Sequence, residues 1–321
     1  MFLGIEIGGT KLQLGVGSGR SRDLVATEQC EIDAAQGAAA ILAQIQDAAP
    51  RLLRKHPVRG VGFGFGGPVL PDSGRVIESH QVAGWDGFPL CQWCREHLGL
   101  PAVLGNDCDA AAFAEARFGA GQGSRTVFYV TVGTGIGGGL VIDGQLQGVG
   151  RPAVAEIGQL RPGPEAEASQ CTVESFAAGP AIAAEACRRT VSVADGDQAW
   201  VDDLLGRCHG DLGRLTAKVV GEAACAGNEL AQRVLTRAYR VLGWAIAQVE
   251  TLVAPEVVVI GGGVPLIGED HFFRPLREQV DRYVFPPLRG RFGVLPSELG
   301  QFVVVQGAVA LAALHADKSR P

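Results

Sequence analysis

Apolar residues along the chain fall into two rhythms. Short runs, such as Phe-Leu-Gly-Ile-Glu-Ile at 2–7 and Val-Val-Val-Ile at 257–260, are bounded by glycine clusters and predict buried strands. Longer alanine-rich stretches repeat their apolar positions with a helical period. A hairpin is expected from strands at 2–7 and 12–16, and a helix at 34–55 ending near Pro57. Residues 58–65 read as a buried strand whose alternate glycines, Gly60 to Gly66, permit close packing; Gly66-Gly67-Pro68 then turns the chain. Next come a strand at 76–82, a loop at 84–90, a short helix at 91–98, a strand at 101–104 and a helix at 109–118 with Asp109 near its N-cap. A second hairpin spans 127–144, and loop is expected at 148–170. Helical pattern dominates 175–252, followed by a strand at 255–260, a last strand at 302–305, a helix at 306–315 and a frayed end at 317–321. Strands alternating with helices indicate an α/β architecture.

The 321 residues are enough for two domains, and a hydrophobic share of 47% against 19% charged residues allows large cores. A net charge of −6 argues against nucleic acid as the main partner. An anionic ligand would then depend on backbone amides, a few basic groups and a metal. No apolar run approaches the length of a membrane span, and the first residues lack the basic region of a signal peptide. Eight scattered cysteines do not form a disulfide framework, so a reducing cytoplasm is expected.

Two segments share one design: an apolar strand, a glycine turn with a threonine, and a returning strand. In Gly8-Gly9-Thr10-Lys11 a phosphate would meet backbone N–H groups, the Thr10 hydroxyl and the Lys11 ammonium; a plain tight hairpin is the alternative. Glu6, just before it, suits Mg²⁺ held directly or through water. Gly133-Thr134-Gly135-Ile136-Gly137-Gly138-Gly139 is richer in glycine than a turn needs, which favours phosphate contact. Gly105-Asn106-Asp107 lies between an apolar strand and a helix start. There Asp107 can accept a hydroxyl proton in phosphoryl transfer or cap the helix, a task that Asp109 also suits. Glu156 and Glu174 are either sugar-binding carboxylates or solvated surface acids. Gly261-Gly262-Gly263 after a strand suits either close approach to an adenine ring or a simple turn. Cys91, Cys94 and His97 offer three zinc ligands at most on one short helix and read as buried helix residues instead.

In this order, and over nearly the whole chain, the motifs resemble the ROK family of bacterial sugar kinases and sugar-responsive repressors. Gly8–Lys11 is similar to its first phosphate motif, residues 131–139 to its second, 105–107 to its catalytic segment, 155–158 to the start of its signature and 257–264 to its adenosine motif. Gly84-Trp85 with the polar residue before it resembles a sugar-contact loop. The resemblance implies a two-lobed, actin-like (ribonuclease H-like) α/β fold with a cleft. Residues 1–120, joined by a helix near 306–316, would form one lobe, and 121–305 the other. It implies ATP on Gly8, Gly9, Thr10, Lys11, Gly133, Thr134, Gly135, Gly137, Gly138, Gly262 and Gly263, and Mg²⁺ near Glu6. It implies a sugar held by Gly67, Gln81, Asn106, Glu156, Gln159 and Glu174, with Asp107 as base. A homodimer is implied too, with no nucleic acid or membrane partner.

Four positions depart from the family pattern: Glu6 for its usual Asp, Gln81 for its usual Asn, Gln159 for its zinc-binding His, and Cys171 alone for its cysteine cluster. Glutamine and one thiolate cannot build a tetrahedral site, so no zinc is expected. The leading expectation is an ATP-dependent kinase acting on the 6-hydroxyl of glucose or a related hexose. An N-acetylated amino sugar kinase is the alternative. A repressor would need a helix-turn-helix before the strand that starts at Phe2. A sugar binder without turnover is disfavoured by Asp107, Thr10 and both glycine loops, while Glu6 and Gln159 keep it open.

Overall fold

A computed structural model describes residues 1–79, 81–148, 151, 154–192 and 197–318. The chain divides into two compact units: 1–129, 139–155 and 297–321 in the first, and 130–138 and 156–296 in the second. The stretches 121–129, 139–155 and 297–305, expected in the second lobe, therefore group with the first unit.

In the first unit, β1 (Phe2–Ile7) pairs antiparallel with β2 (Lys11–Gly17), which pairs with β3 (Leu24–Glu31). The 3-10 turn Ala34–Gln36 leads into α1 (Gly37–Leu53). Strand β4 (Val61–Phe65) lies parallel to β1, so Ile7 pairs with Phe65. The short pair β5 (Val69–Leu70) and β6 (Arg75–Val76) precedes α2 (Leu90–Leu98). Strand β7 (Ala102–Asn106) completes the sheet order β3-β2-β1-β4-β7 and runs into α3 (Asp107–Phe118). One face carries Leu3, Ile5, Leu12, Phe63, Phe65 and Trp85, with Trp85 packed edge-on against Phe65 at 5.1 Å.

In the chain around the second unit, β8 (Thr126–Val132), β9 (Ile136–Ile142) and β10 (Gln145–Leu146) precede the helices α4 (Val173–Ala177), α5 (Gly179–Val191), α6 (Gln198–Arg207), α7 (Ala217–Cys225) and α8 (Glu229–Val253). Strand β11 (Val257–Gly261), α9 (Arg274–Tyr283) and β12 (Gly293–Pro296) follow, and the second sheet has the order β10-β9-β8-β11-β12. Helix α10 (Val303–Lys318) belongs to the first unit.

The predicted strand at 302–305 is corrected: those residues form a 3-10 turn and the start of α10. The Val303-Val304-Val305 run suits a strand by side chain alone. Here it is buried helix, lying on glycines that have no Cβ to keep it away. A Cβ on Gly4 would meet Val305 O, one on Gly62 Ala308 O, and one on Gly64 the Val304 side chain. The glycine alternation in β4 thus serves helix packing. The stretch Gly300–Lys318 also has the length and apolarity of a membrane span, contrary to expectation. Its apolar residues Val309, Ala312 and Ala313 are buried against Phe2. At the start of this segment the carboxylate of Glu115, fully buried on α3, accepts hydrogen bonds from Ser297 Oγ at 2.5 Å and from the N–H groups of Glu298 and Leu299 at 3.0 Å.

Of the strand predicted at 76–82 only Val76 lies in a strand among the described residues, while Ile77 makes single bonds, donating to Pro68 O and accepting from Gly87 N. His80 within it, residues 149, 150, 152 and 153 of the 148–170 loop, 193–196 of the helical stretch and 319–321 of the frayed end lie outside the described residues.

Candidate functional site

Each unit gathers its own set of the expected residues. In the first, the turn Gly8–Thr10 joins β1 to β2 and is closed by the Gly8 N–H donating to Lys11 O at 3.1 Å. Thr10 is exposed at its tip. Glu6 is buried at the end of β1, with Oε1 3.9 Å from Lys11 Nζ. Its other oxygen, Oε2, is buried without a hydrogen-bond partner. Burial pushes the Glu6 carboxyl up to about 7, with Lys11 opposing and Asp107 adding to the rise. An orphaned acidic oxygen beside a second carboxylate is a donor set that fits Mg²⁺. Gln81 lies against the same turn, its Oε1 occupying the space that a Cβ on Gly9 would take.

The β7–α3 junction corrects the capping assignment. Asn106, not Asp109, is the N-cap: its Oδ1 accepts from Cys108 N at 2.8 Å and Asp109 N at 3.4 Å. Its Nδ2 donates to Gly67 O at 3.0 Å, tying α3 to the turn after β4. Asp107 is the first helical residue, and its Oδ1 also accepts from Cys108 N at 2.8 Å. Desolvation raises the Asp107 pKa, and the Cys108 hydrogen bonds oppose that rise. The side chain ends close to Gly66, where a Cβ would be 3.5 Å from Oδ2. Gly8, Gly9, Thr10, Lys11, Glu6, Gly67, Gln81, Asn106 and Asp107 thus belong to one unit, around the ends of β1, β4 and β7.

In the second unit the connection between β8 and β9 is the three-residue turn Gly133–Gly135, with Gly133 N donating to Gly135 O at 2.9 Å. This is shorter than the sequence suggests, since Gly137 and Gly138 already lie in β9. Helix α5 meets the turn directly: Gly179 N donates to Gly133 O at 2.7 Å. Glu174 is on the short helix α4 rather than in a loop, and its Oε2 accepts from Ile136 N at 2.7 Å. That helix is fixed by a reciprocal cap, in which Ser175 N donates to Thr172 Oγ1 and Thr172 N to Ser175 Oγ, and by Val173 N donating to Leu160 O at 2.8 Å. Glu156 precedes and Gln159 ends a 3-10 turn that packs tightly on Ile136, because a Cβ on Gly158 would collide with Ile136 O.

A pocket of about 980 Å³ in this unit is lined by Gly133, Thr134, Gly179, Thr216, Gly263 and Ile267, among others. Gly262, at φ +99°, turns β11 into this wall. The walls from α7 and from Leu215 are invisible in local sequence, and Thr216 is legible only as a helix cap, its hydroxyl accepting from Val219 N. On α2, Cys94 is buried and His97 stacks on Trp93, and burial raises both the Cys91 and the Cys94 thiols, to about 11 and about 12. Among the described residues no three His, Cys, Asp or Glu side chains form a metal-binding group.

The ROK family model matches residues 2–314. A glucokinase of Halalkalibacterium halodurans is 31% identical over 296 residues, 89% of this chain and 86% of that protein. A glucokinase of Thermotoga maritima is 29% identical over 97% of this chain and 96% of its own. Among solved structures, a ROK family glucokinase from Streptomyces griseus, in complex with glucose and AMPPNP, superposes with a TM-score of 0.83 at 31% identity, covering 98% of this chain and 99% of that one.

Proposed function

We infer that this chain, which belongs to the ROK family and carries its actin-like, ribonuclease H-like α/β fold, is an ATP-dependent sugar kinase. The observation that carries the reading is the β7–α3 junction. A partly desolvated Asp107, held by its own helix N-terminus, stands with a buried Glu6 that has one unpartnered oxygen. We assign Asp107 as the group that accepts the proton of the attacking hydroxyl, the 6-hydroxyl of glucose or a related hexose. Desolvation suits that role, because it strengthens the carboxylate's hold on a proton. Asn106 fixes this carboxylate through the cap, and its second amide hydrogen is left for a sugar hydroxyl.

The turns Gly8–Thr10 and Gly133–Gly135 offer backbone N–H groups and threonine hydroxyls to phosphate, and Lys11 adds positive charge. Glu6 would hold Mg²⁺, directly or through water, and the ion would neutralise charge on the phosphates. The apolar pocket next to Gly133 and Gly263 suits a nucleoside, as Gly and Ala leave flat walls. Gly67, Gln81, Glu156, Gln159 and Glu174 are assigned to the sugar.

A coupled ADP-release screen with ATP, Mg²⁺ and a panel of hexoses tests the reading. Sugar-dependent ADP release is expected. Sugar binding by calorimetry with no ADP above background would replace it with a non-catalytic sugar binder.

A further inference from the structure

The turn Gly133–Gly135 is soft on its own. Two of its three residues are glycine, and the N–H groups of Thr134 and Gly135 make no hydrogen bond among the described residues. Such a turn holds a phosphate well only if its shape is fixed beforehand, because ordering it on binding costs affinity. One corner of the second unit fixes it at both ends. Gly179 N, at the start of α5, donates to Gly133 O at 2.7 Å. At the other end Glu174 Oε2, on α4, accepts from Ile136 N at 2.7 Å and lies 2.7 Å from the place of a Cβ on Gly135. Ala178 N donates to Glu174 O at 3.0 Å, so both grips belong to one α4–α5 corner. Among the described residues Glu174 is the one side chain that hydrogen-bonds to residues 133–136. Its other oxygen, Oε1, accepts no hydrogen bond among the described residues.

We propose that Glu174 is a positioning residue for the phosphate turn, a duty separate from the sugar contact assigned to it above. This role rests on the assignment of Gly133–Gly135 to the nucleotide's phosphates. All of these residues belong to the second unit. A carboxylate oxygen is a strong acceptor for a backbone N–H, and here it pins the start of β9. The neighbouring N–H groups of Thr134 and Gly135 then keep a fixed direction. Oε2 serves the turn, and Oε1 is left to a sugar hydroxyl. What the turn needs from position 174 is an acceptor oxygen and not a negative charge, since like charge beside a bound phosphate is unfavourable. A glutamine there keeps the acceptor, and an alanine does not. The bond from Gly179 and the turn's own Gly133–Gly135 bond survive either change. The loss in phosphate affinity is therefore partial, and smaller than the loss in sugar affinity.

Isothermal titration with Mg²⁺ and without sugar compares AMPPNP with adenosine, which has the same base and ribose but no phosphate. Glu174→Ala should weaken AMPPNP about fivefold and adenosine by less than about twofold. Glu174→Gln should hold both within about twofold of the wild type. Gly135→Ala tests the same bond without touching Glu174. Beyond its chain neighbours, its Cβ meets only the Glu174 carboxylate within 4 Å. It should weaken AMPPNP about fivefold in the wild-type background, and add nothing where Glu174 is already alanine. AMPPNP bound as well by Glu174→Ala as by the wild type would overturn the role. So would an equal loss of adenosine, a glutamine variant as weak as the alanine one, or a full further loss from Gly135→Ala on top of Glu174→Ala. A wild type that binds AMPPNP no better than adenosine would overturn the phosphate assignment of the turn and this role with it. Sugar-dependent ADP release decides the kinase reading separately, so the two failures are distinguishable.

Discussion

The two glycine turns have one sequence design and opposite surroundings. Gly8–Thr10 is braced by side chains: Gln81 lies over Gly9, and Glu6 and Lys11 bring charge to its base. Gly133–Gly135 is braced largely by backbone: Gly179 N reaches Gly133 O and Gly262 overlies Val132, with the Glu174 carboxylate lying close to where a Cβ on Gly135 would be. The first turn thus has flexible charged and polar side chains at its base, while the second adjoins a backbone contact, Gly262 on Val132, that admits no Cβ. In the function proposed above, the first would hold charge for phosphate and metal and the second would hold shape for a nucleoside wall.

The largest expected effect lies on the charged side. Asp107→Asn keeps the helix start but cannot accept a proton, so kcat should fall by about 10²–10⁴-fold while calorimetry finds ATP affinity near that of the wild type. Wild-type turnover in this variant would reject the base assignment. On the other side, Gly262→Ala places a Cβ against the Val132 backbone at φ +99° and should cost about 2 kcal/mol in urea unfolding. Gly9→Ala meets only the Gln81 side chain and should cost about 0.5 kcal/mol or less. Equal costs would erase the contrast between the turns.

Glu6→Gln tests where charge matters. Its pKa is raised on folding, to about 7, so the stability it contributes is fully present below the unfolded value and is lost as pH rises through 7. In Mg²⁺-free buffer the wild-type Tm should fall relative to Glu6→Gln between pH 4.5 and 7. The apparent Mg²⁺ requirement of the variant should rise about tenfold. Parallel Tm curves would deny the buried acid. A further, modest effect is expected of Ser175→Ala, which removes one arm of the reciprocal cap of α4. It should cost about 1 kcal/mol and raise the sugar KM more than the ATP KM. Equal rises in both would mean that the cap does not position Glu174.

Local periodicity was enough to read both hairpins, β4, β11 and the order of the motifs, because each is set by its own glycines and apolar runs. Three features needed the folded partners. Strand β3 alternates half-buried and exposed residues and carries charge, so its sequence reads as surface until β2 pairs with it. The valines at 303–305 became helix because glycines on β1 and β4 accept a helix backbone there. The capping role moved from Asp109 to Asn106, since Gly67 O captures the Asn106 amide, a contact between distant residues. The nucleoside-sized pocket draws on α5, α7 and the 263–267 turn, which no single stretch of sequence brings together.

Helix α10 covers β1 and β4, yet it is made only after the entire second unit. During synthesis, at about 5–20 residues per second, the earliest strands must wait with an apolar face bare for many seconds. A ribosome that stalls ahead of residue 303 would release an unfinished first sheet, a natural client for chaperones that bind exposed strands.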